Sequence, residues 1–292
     1  MLKTESASTE HAELDLYGVD QLVAALVDDH ALAVRAVQAA APAISAAVAA
    51  MAPRIAAGGR LIYVGAGTSG RLGILDSVEL FPTFSWPHER AVALLAGGLG
   101  AMFDAVEGAE DNDSKGASDL RLIYPVYNDV VLLIAASGTT PYVLGALKAA
   151  HTVGALTIGI ANNPATPLLR DADVGICLDT GPEVIAGSTR LKAGTAQKIV
   201  LNTLSSALMV RLHKVYGNLM VDLHATNAKL VERALRLTMR IAGADEASAR
   251  AMLERCHYQV KLAIVALRKD LDVEQAQSLL EQTGGDMRRA LR

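Results

Sequence analysis

Two short turns rich in glycine and hydroxyl side chains each follow an apolar run of the chain. The first, residues 65–70, reads GAGTSG, and the second, residues 137–141, reads SGTTP. A glycine-rich turn that opens a helix presents backbone N–H groups and binds phosphate, and Ser and Thr add hydroxyl donors. Glycine also serves simply to make a tight turn, so one such loop alone indicates little. Two loops of this kind favour phosphate binding.

The first turn also matches the GxGxxG pattern of dinucleotide-binding folds. That interpretation requires an acidic residue near the end of the second strand, where it would bind the ribose hydroxyl. The second apolar run instead ends in ALLAGG at residues 93–98, without an acid. Paired hydroxyl-rich turns therefore favour a compact phosphomonoester over a dinucleotide, and we expect no cofactor.

Five short apolar runs with strand-forming residues alternate with segments of helical pattern. Such alternation predicts an α/β fold with a five-stranded parallel sheet flanked by helices. Ligands of parallel sheets bind outside the carboxyl ends of the strands, which is where both turns lie. The predicted strands lie within residues 60–65, 90–97, 129–137, 156–162 and 174–180.

The remaining segments are helical or polar. Residues 1–18 read as a polar arm, and residues 20–52 as two helices broken near Asp28–His30. A long helix is expected at about 190–213, and the tail from residue 243 splits at Gly and Asp into three short amphipathic helices. We expect three parts: an N-terminal arm with helices at 1–55, a phosphosugar-binding domain at 56–225 and a small helical module at 226–292.

Composition excludes several classes of protein. The net charge is -4, and no basic cluster is interleaved with aromatic residues, so nucleic-acid binding is disfavoured. Cys177 and Cys256 are far apart, and the seven histidines lack metal-ligand spacing, so no disulfide and no metal site are expected. No basic segment precedes an apolar leader, and no window reaches the length of a membrane span. We expect a cytoplasmic location.

Several longer blocks resemble the sugar isomerase (SIS) fold and, within it, the family of N-acetylmuramic acid 6-phosphate etherases. The blocks are GGRLIYVGAGTSGRLGILD, AVEGAED, AASGTTPYV, GSTRLKAGTAQK and GNLMVDLHATN, which span most of residues 58–227. The last two blocks have no generic structural explanation and are the most diagnostic. The C-terminal helices are similar to a bundle of the ubiquitin-associated type, for which we expect a role in packing or dimer stabilisation.

The resemblance implies a reaction. The family removes the D-lactyl ether at C3 of a 6-phosphosugar, giving N-acetylglucosamine 6-phosphate and D-lactate. The open-chain aldehyde acidifies the C2 proton, lactate is eliminated across C2 and C3, and water adds to the unsaturated intermediate. Matching motifs place the two acid–base groups on Glu79, as proton donor to the lactyl oxygen, and on Glu110, as base at C2. Glu107, three residues before Glu110, is the main alternative because it could share a helix face with Glu110.

The resemblance also implies the substrate contacts. Glu183 and Ser188 match a segment that approaches the sugar in related enzymes. Arg190 or Lys192 is the candidate partner of the lactyl carboxylate. Equally, these two cations could simply be solvent-exposed residues at the start of a helix. The expected phosphate contacts are Gly67, Thr68, Ser69, Ser137, Gly138, Thr139 and Thr140.

The position of Glu79 raises a geometric question. In a continuous helix from Gly70, Glu79 lies about 14 Å along the axis from the phosphate loop, at ~1.5 Å per residue. Either the helix ends early, which Phe81-Pro82 would favour, or Glu79 serves a site shared with a second subunit. Proteins similar to this one are homodimers, which makes a shared site plausible.

The chain departs from the family pattern at several positions. Thr139 stands where Arg is common, DSVELFPTFSW differs from the usual small residues and prolines around Glu79, and the N-terminal signature continues as Ser6-Ala7 after Thr4-Glu5. A related phosphosugar acid ether therefore stays open as substrate. The alternatives are a non-catalytic phosphosugar-binding regulator, which would need neither glutamate, and an aldose–ketose isomerase, which would form ketose phosphate and no lactate.

Overall fold

The computed structural model describes residues 2–223 and 228–292. Its main sheet has five parallel strands in the order β2-β1-β3-β4-β5, which confirms the predicted fold class. The strands are β1 Leu61–Gly65, β2 Ala91–Leu95, β3 Val130–Ile134, β4 Leu156–Ala161 and β5 Val174–Cys177. Every residue of β1, β3 and β4 is buried, as expected for strands covered by helices on both faces.

The strand order places β1 beside β3. The two strands run parallel with Gly65 opposite Ile134, so their carboxyl ends lie side by side. The chain crosses from β1 to β2 on one side and continues to β3 on the other, and this reversal of direction opens a crevice at the carboxyl edge of parallel sheets. Both hydroxyl-rich turns follow these two strands.

The helices around the sheet differ from the prediction near the N-terminus. Residues 20–52 were predicted as two helices, but the first break, at His30, is followed by a second at Ala40. Pro42 lies in the first turn of the third helix and does not break it, because an N–H group in this turn would have no partner within the helix. The helices up to the end of the sheet are α1 Val19–Asp29, α2 Ala31–Ala39, α3 Ala41–Ala56, α4 Gly67–Phe84, α5 Asp113–Leu122, α6 Pro141–Thr152 and α7 Pro167–Asp171.

The chain forms two compact units. The first comprises the residues up to Ser77 together with Glu89–Ser205, and it contains the parallel sheet. The second comprises Val78–His88 together with the described residues from Ser206 to Arg292. The elements after β5 are α8 Lys192–Arg211, the antiparallel pair β6 Val215–Tyr216 and β7 Leu219–Met220, then α9 Ala228–Ala242, α10 Glu246–Arg255, α11 Val260–Lys269, α12 Val273–Gln282 and α13 Met287–Ala290.

The second unit has its own apolar core, and three short helices lie in the tail as predicted, namely α10, α11 and α12. The four-residue helix α13 follows them and was not predicted. Asp245 and Asp272 accept hydrogen bonds from the N–H groups of Ser248 and Gln275, so both α10 and α12 begin at a side-chain cap. The predicted boundary between residues 225 and 226 lies outside the described residues, and the three-part division stays a prediction.

Within the described ranges no single helix is long and apolar enough to span a membrane. The bent pair formed by residues 19–39 and 41–56 meets the length and composition of a membrane span only when the two parts are taken together.

Candidate active site

A cavity of about 370 Å³ lies in the first unit at the carboxyl ends of β1 and β3. It is bordered by the first residues of α4 and by the turn that leads into α6, so two helix N-termini with unpaired N–H groups meet there. The predicted contacts Gly67, Thr68, Ser69, Ser137, Thr139, Thr140 and Glu110 all line it. The lining also includes Glu5, Asp111, Gly187 and Thr189, which were not predicted as site residues.

The glycines of the first turn have distinct tasks. A Cβ on Gly65 would lie 2.6 Å from the backbone N of Gly70, and a Cβ on Gly70 would lie 2.7 Å from the carbonyl oxygen of Gly65. These two glycines therefore permit the close approach of strand end and helix start. Gly67 has a φ of +51°, a conformation that side chains other than glycine seldom adopt, so it shapes the turn into the helix.

The hydroxyl groups of the cavity are partly committed to each other and to the scaffold. Ser69 is buried, and its Oγ donates a hydrogen bond of 2.9 Å to Gln197 Oε1. In the second turn the Oγ of Ser137 and the Oγ1 of Thr140 lie 3.3 Å apart, and the N–H of Thr139 donates to Ser137 Oγ at 3.2 Å. Since one hydroxyl of the Ser137–Thr140 pair can accept from the other, at least one hydroxyl hydrogen stays available to a ligand.

Gly138 belongs to the second turn but is buried beneath the cavity wall. It is not among the residues that line the cavity, and its φ is +69°. A Cβ at this position would lie 2.2 Å from Oγ1 of Thr166, so only glycine fits. Its carbonyl oxygen accepts a hydrogen bond from the N–H of Leu168. Gly138 therefore shapes the loop, and its predicted direct contact with phosphate stays a prediction.

The N-terminal arm is attached to the sheet at the edge of the cavity. Thr4 is fully buried, accepts a 2.9 Å hydrogen bond from Asn163 Nδ2 on its Oγ1, and accepts another at 3.0 Å from the N–H of Gly187 on its carbonyl oxygen. Lys3 pairs with Asp179 at 2.5 Å. These bonds bring Glu5 to the cavity wall. The sequence signal for this placement was the Thr4-Glu5 pair, which begins the N-terminal signature of the family but was not predicted to lie at the site.

The charged side chains on the cavity wall are acidic. Among the described residues, its wall carries the carboxyl groups of Glu5, Glu110 and Asp111, and no Lys, Arg or His. An anion held here must therefore rely on N–H groups, hydroxyl groups and helix N-termini. Nowhere in residues 2–223 or 228–292 do three or more His, Cys, Asp and Glu side chains form a group suited to a metal ion.

The two acidic candidates of the AVEGAED block lie in different settings. Glu110 is exposed, belongs to a short 3-10 turn at Ala109–Asp111, and lines both the main cavity and a smaller neighbouring one of about 220 Å³. Glu107 lines only the smaller cavity. Gly108, in the left-handed conformation, separates the two, so they do not share a helix face.

Glu79 lies on α4, which runs unbroken from Gly67 to Phe84 with Pro82 inside it. The helix does not end before Glu79, so the first of the two alternatives for this residue is not observed. The side chain of Glu79 is exposed. Glu79 belongs to the second unit, whereas every residue that lines the main cavity belongs to the first.

Residues of the segment from Glu183 to Lys192 form hydrogen bonds at the start of α8. Glu183 is fully buried and accepts hydrogen bonds from the N–H groups of Lys192 (3.2 Å) and Ala193 (2.9 Å), which are unpaired donors of the first helical turn. Burial raises the pKa of the Glu183 carboxyl, and these two N–H groups oppose the shift.

The cations of this segment do not reach the cavity wall. Lys192 Nζ is buried, pairs with Asp29 Oδ1 at 2.7 Å and donates to the carbonyl oxygen of Pro182. Arg190 is exposed, and Ser188 is half-buried. Neither of them, nor Glu183 or Lys192, lines the main cavity, so the substrate contacts proposed for Glu183, Ser188 and Lys192 stay predictions.

Two family models match the chain. The model of the glucokinase regulatory protein N-terminal SIS domain matches residues 43–151, and the model of the SIS domain matches residues 126–207. Among solved structures, a phosphoheptose isomerase from Francisella tularensis superposes with a TM-score of 0.51 at 19% identity, covering 67% of this chain and 100% of that one. At this identity the match supports the fold alone.

Relatives of much higher identity match almost the entire chain. N-acetylmuramic acid 6-phosphate etherase of Deinococcus radiodurans is 57% identical over 99% of this chain and 95% of its own. The etherases of Rubrobacter xylanophilus and Mycolicibacterium smegmatis are 49% and 48% identical, again over 99% of this chain and over 96% and 97% of theirs. The resemblance found in the motifs is thereby confirmed, and the chain belongs to the N-acetylmuramic acid 6-phosphate etherase family.

Proposed function

We propose that this protein cleaves the D-lactyl ether of N-acetylmuramic acid 6-phosphate, giving N-acetylglucosamine 6-phosphate and D-lactate, as a step in the recycling of cell-wall amino sugars in the cytoplasm. The observation that carries the proposal is the near-full-length identity with proteins of that name, from 48% to 57% in the relatives above. A hydroxyl-lined cavity with Glu110 on its wall supports it independently.

The 6-phosphate group is the proposed anchor of the substrate. It binds between the N-terminus of α4 and the turn before α6, where N–H groups and the hydroxyls of Thr68, Ser137 and Thr140 surround it. This placement fixes the sugar at one end and leaves C2 and C3 near the acidic part of the wall, which includes Glu110. Anchoring at a remote group lowers the entropic cost of aligning the reacting carbons with the base.

Glu110 is the proposed base at C2. The exposed carboxyl group of Glu110 lies on the cavity wall, where it can accept the C2 proton, which the open-chain aldehyde acidifies. Glu79 is the proposed acid that protonates the departing lactyl oxygen and then assists the addition of water. The two carboxyl groups must therefore hold different protonation states during the elimination.

The proposed assembly is a homodimer whose sites are shared. α4 is continuous through Glu79, and Leu75 and Val78, which are 46% and 51% exposed, flank this glutamate on the same helix. On α1 the exposed Val19, Val23 and Val27 are spaced by four residues, which places them along one helix face. Apolar rows of this kind are suited to contact a second copy of the chain, and such contact would bring Glu79 of one copy to the cavity of the other.

The proposed activity is tested by incubating the purified protein with N-acetylmuramic acid 6-phosphate in ¹⁸O-labelled water. We expect both products, with solvent oxygen incorporated at C3, because water adds to the unsaturated intermediate. Glu79→Gln and Glu110→Gln should each lower the rate of lactate release by a factor on the order of 10² to 10⁴, as loss of an acid–base group does. Glu274→Gln, at an exposed position of α12, is the matched control.

The same assay distinguishes the alternatives. A ketose phosphate without lactate would indicate an isomerase, and binding of the phosphosugar without turnover would indicate a regulator. Solvent oxygen in lactate, with none at C3, would indicate cleavage on the lactyl side. The matches at 48% to 57% identity are to proteins named etherases, so neither alternative is favoured.

The shared site is tested by co-expressing Glu79→Gln and Glu110→Gln with two different tags. In a mixed dimer with shared sites, one site carries both substitutions and the other carries none. About a quarter of the wild-type activity should then return in the mixed population, since half of the dimers are mixed. If each chain holds a complete site, the mixture stays as inactive as the two variants.

A further inference from the structure

The smaller cavity of about 220 Å³ lies directly beside the main cavity of about 370 Å³ and shares Ala66, Gly67 and Glu110 with it. Small apolar side chains, those of Ala96, Ala101, Ala105 and Val106, form part of its remaining wall. Arg71 and Glu107 add one side chain of each charge to it. Nothing in the proposed anchoring of phosphate uses this space. Because Glu110 borders both cavities, a sugar whose C2 is at Glu110 extends its substituents toward the smaller one.

In the part of the chain that the structure describes, Arg71, in the second turn of α4, is the only basic residue that lines either cavity. Its Nε and Nη2 donate hydrogen bonds to the carbonyl oxygen of Ala101 at 3.0 and 2.7 Å, and Nε also reaches the carbonyl oxygen of Met102 at 3.3 Å. Within residues 2–223 and 228–292 no carboxylate pairs with this guanidinium, and Nη1 donates no hydrogen bond. Arg71 thus has an unneutralised charge and spare donors at a cavity wall.

We propose that the smaller cavity binds the lactyl substituent of the substrate, with its carboxylate paired to Arg71 and its methyl group against the alanine-rich wall. The proposal rests on the proposed function, which supplies a substrate with exactly two anionic groups. The hydroxyl-lined cavity takes the phosphate, so the lactyl carboxylate needs a second anion site on the other side of Glu110. A guanidinium beside small apolar side chains matches an acid that carries a methyl group.

This assignment gives Arg71 a role in specificity. An ether at C3 without a carboxylate would leave the Arg71 charge unpaired in a half-buried position, whereas the lactyl ether satisfies it. In this assignment the partner of the lactyl carboxylate is Arg71 and not Arg190 or Lys192, because neither of these two residues lines the smaller cavity. The competing occupant of the same space is the acetamido group at C2, which has a methyl group but no negative charge.

The first experiment compares two substrates. One is N-acetylmuramic acid 6-phosphate, and the other is the 3-O-ethyl ether of N-acetylglucosamine 6-phosphate, which lacks only the carboxylate. Arg71→Met should lower kcat/KM for the first by a factor on the order of 10 to 100, the effect of losing a charge-assisted hydrogen bond, and change it little for the second. Arg71→Lys, which keeps the charge, should retain part of this selectivity.

If Arg71→Met only disturbs the loop that carries Ala101, kcat/KM should fall equally for both substrates. That result would overturn the assignment of Arg71 but would not affect the proposed etherase activity of the wild type. If the wild type releases no lactate at all, the proposed function itself fails. The ratio of the two kcat/KM values therefore tests the subsite separately from the reaction.

The second experiment fills the cavity. Ala105→Leu adds an isobutyl-sized side chain at an exposed wall position, and Ala57→Leu, exposed at the end of α3, is the matched control. If the cavity takes the lactyl group, Ala105→Leu should raise KM for the substrate and leave inhibition by N-acetylglucosamine 6-phosphate unchanged, because that product lacks the lactyl group. Weaker binding of both compounds would assign the cavity to the acetamido group and overturn the proposal.

Discussion

Ser69 Oγ donates a hydrogen bond of 2.9 Å to Gln197 Oε1, and this bond ties the first hydroxyl-rich turn to α8. Gln197 continues the connection, since its Nε2 donates at 2.9 Å to Asn162 Oδ1 in the loop after β4. All three side chains are buried. The hydroxyl hydrogen of Ser69 is therefore committed to the scaffold, and a phosphate in the cavity meets other donors.

Ser69→Ala is accordingly expected to act on stability more than on binding. It leaves Gln197 Oε1 buried without its donor, at a cost of about 1–3 kcal/mol in the free energy of unfolding. Urea unfolding measures this loss. Titration calorimetry with N-acetylglucosamine 6-phosphate should show a smaller loss of affinity for Ser69→Ala than for Ser137→Ala. The hydroxyl of Ser69 is bonded to a buried side chain of α8, whereas that of Ser137 contacts only residues of its own turn. The opposite order of affinities would contradict this division of tasks.

Thr139→Arg should strengthen binding of the phosphosugar. Thr139 lines a cavity whose wall, among the residues that the structure describes, carries three carboxyl groups and no cation. A guanidinium there can pair with the phosphate, and we expect an affinity gain on the order of tenfold that shrinks at high salt. Thr139→Gln, long but neutral, is the control, and calorimetry at two salt concentrations is the measurement. Equal affinity of the Arg and Gln variants would argue against phosphate in this cavity.

Asp129 should make the protein sensitive to acid. It is fully buried just before β3 and accepts hydrogen bonds from Nε and Nη2 of Arg60 and from the N–H groups of Arg60 and Val126. Burial alone would raise the pKa of Asp129, but Arg60 and the two N–H groups outweigh it and lower this pKa below 3.8. A lowered folded-state pKa contributes stability above pH 3.8 that is lost as the pH falls through the folded-state value.

Asp129→Asn should therefore cost about 3 kcal/mol at neutral pH, as does removal of one partner of a buried ion pair, and the difference from wild type should shrink in acid. Asp171→Asn, which removes the exposed ion pair with Arg170, is the control and should change the free energy of unfolding little. Urea unfolding from pH 3 to 7 provides the measurement. A loss that does not vary with pH would contradict the assigned role of Asp129.

Glu183 should give a pH dependence of opposite sign. Burial raises its folded-state pKa above the ordinary value of 4.5, so the stability it contributes is complete below pH 4.5 and is lost as the pH rises through the folded-state pKa. Glu183→Gln keeps one acceptor for the start of α8 and carries no charge. We expect the variant to be less stable than wild type at pH 4 and to approach it as the pH rises. A constant difference between pH 4 and 7 would show that Glu183 does not titrate in this range.

The fold was largely predictable because apolar periodicity reflects burial directly. The runs around Ile62, Val131 and Ile158 are fully buried strands, and the short helices of the tail lie where Gly and Asp divide the pattern. The break at Ala40 was missed because the Ala-rich apolar pattern continues across it, and Pro42 fits the first turn of the helix that follows. Burial of Thr4 was missed because one small polar residue in a polar arm carries no periodic signal.

The sequence by itself determined the two hydroxyl-rich turns and the family of this protein, and it supplied Glu79 and Glu110 as the candidate acid–base residues. Local residue order specifies strands, turns and donor types, because these depend on neighbours along the chain. Only the tertiary structure decided which groups meet. The order β2-β1-β3 joined the two turns in one cavity, the buried Thr4 brought in Glu5, and the capping of α8 turned Glu183 and Lys192 inward. Such contacts depend on burial and hydrogen bonding between distant segments, which no local pattern encodes.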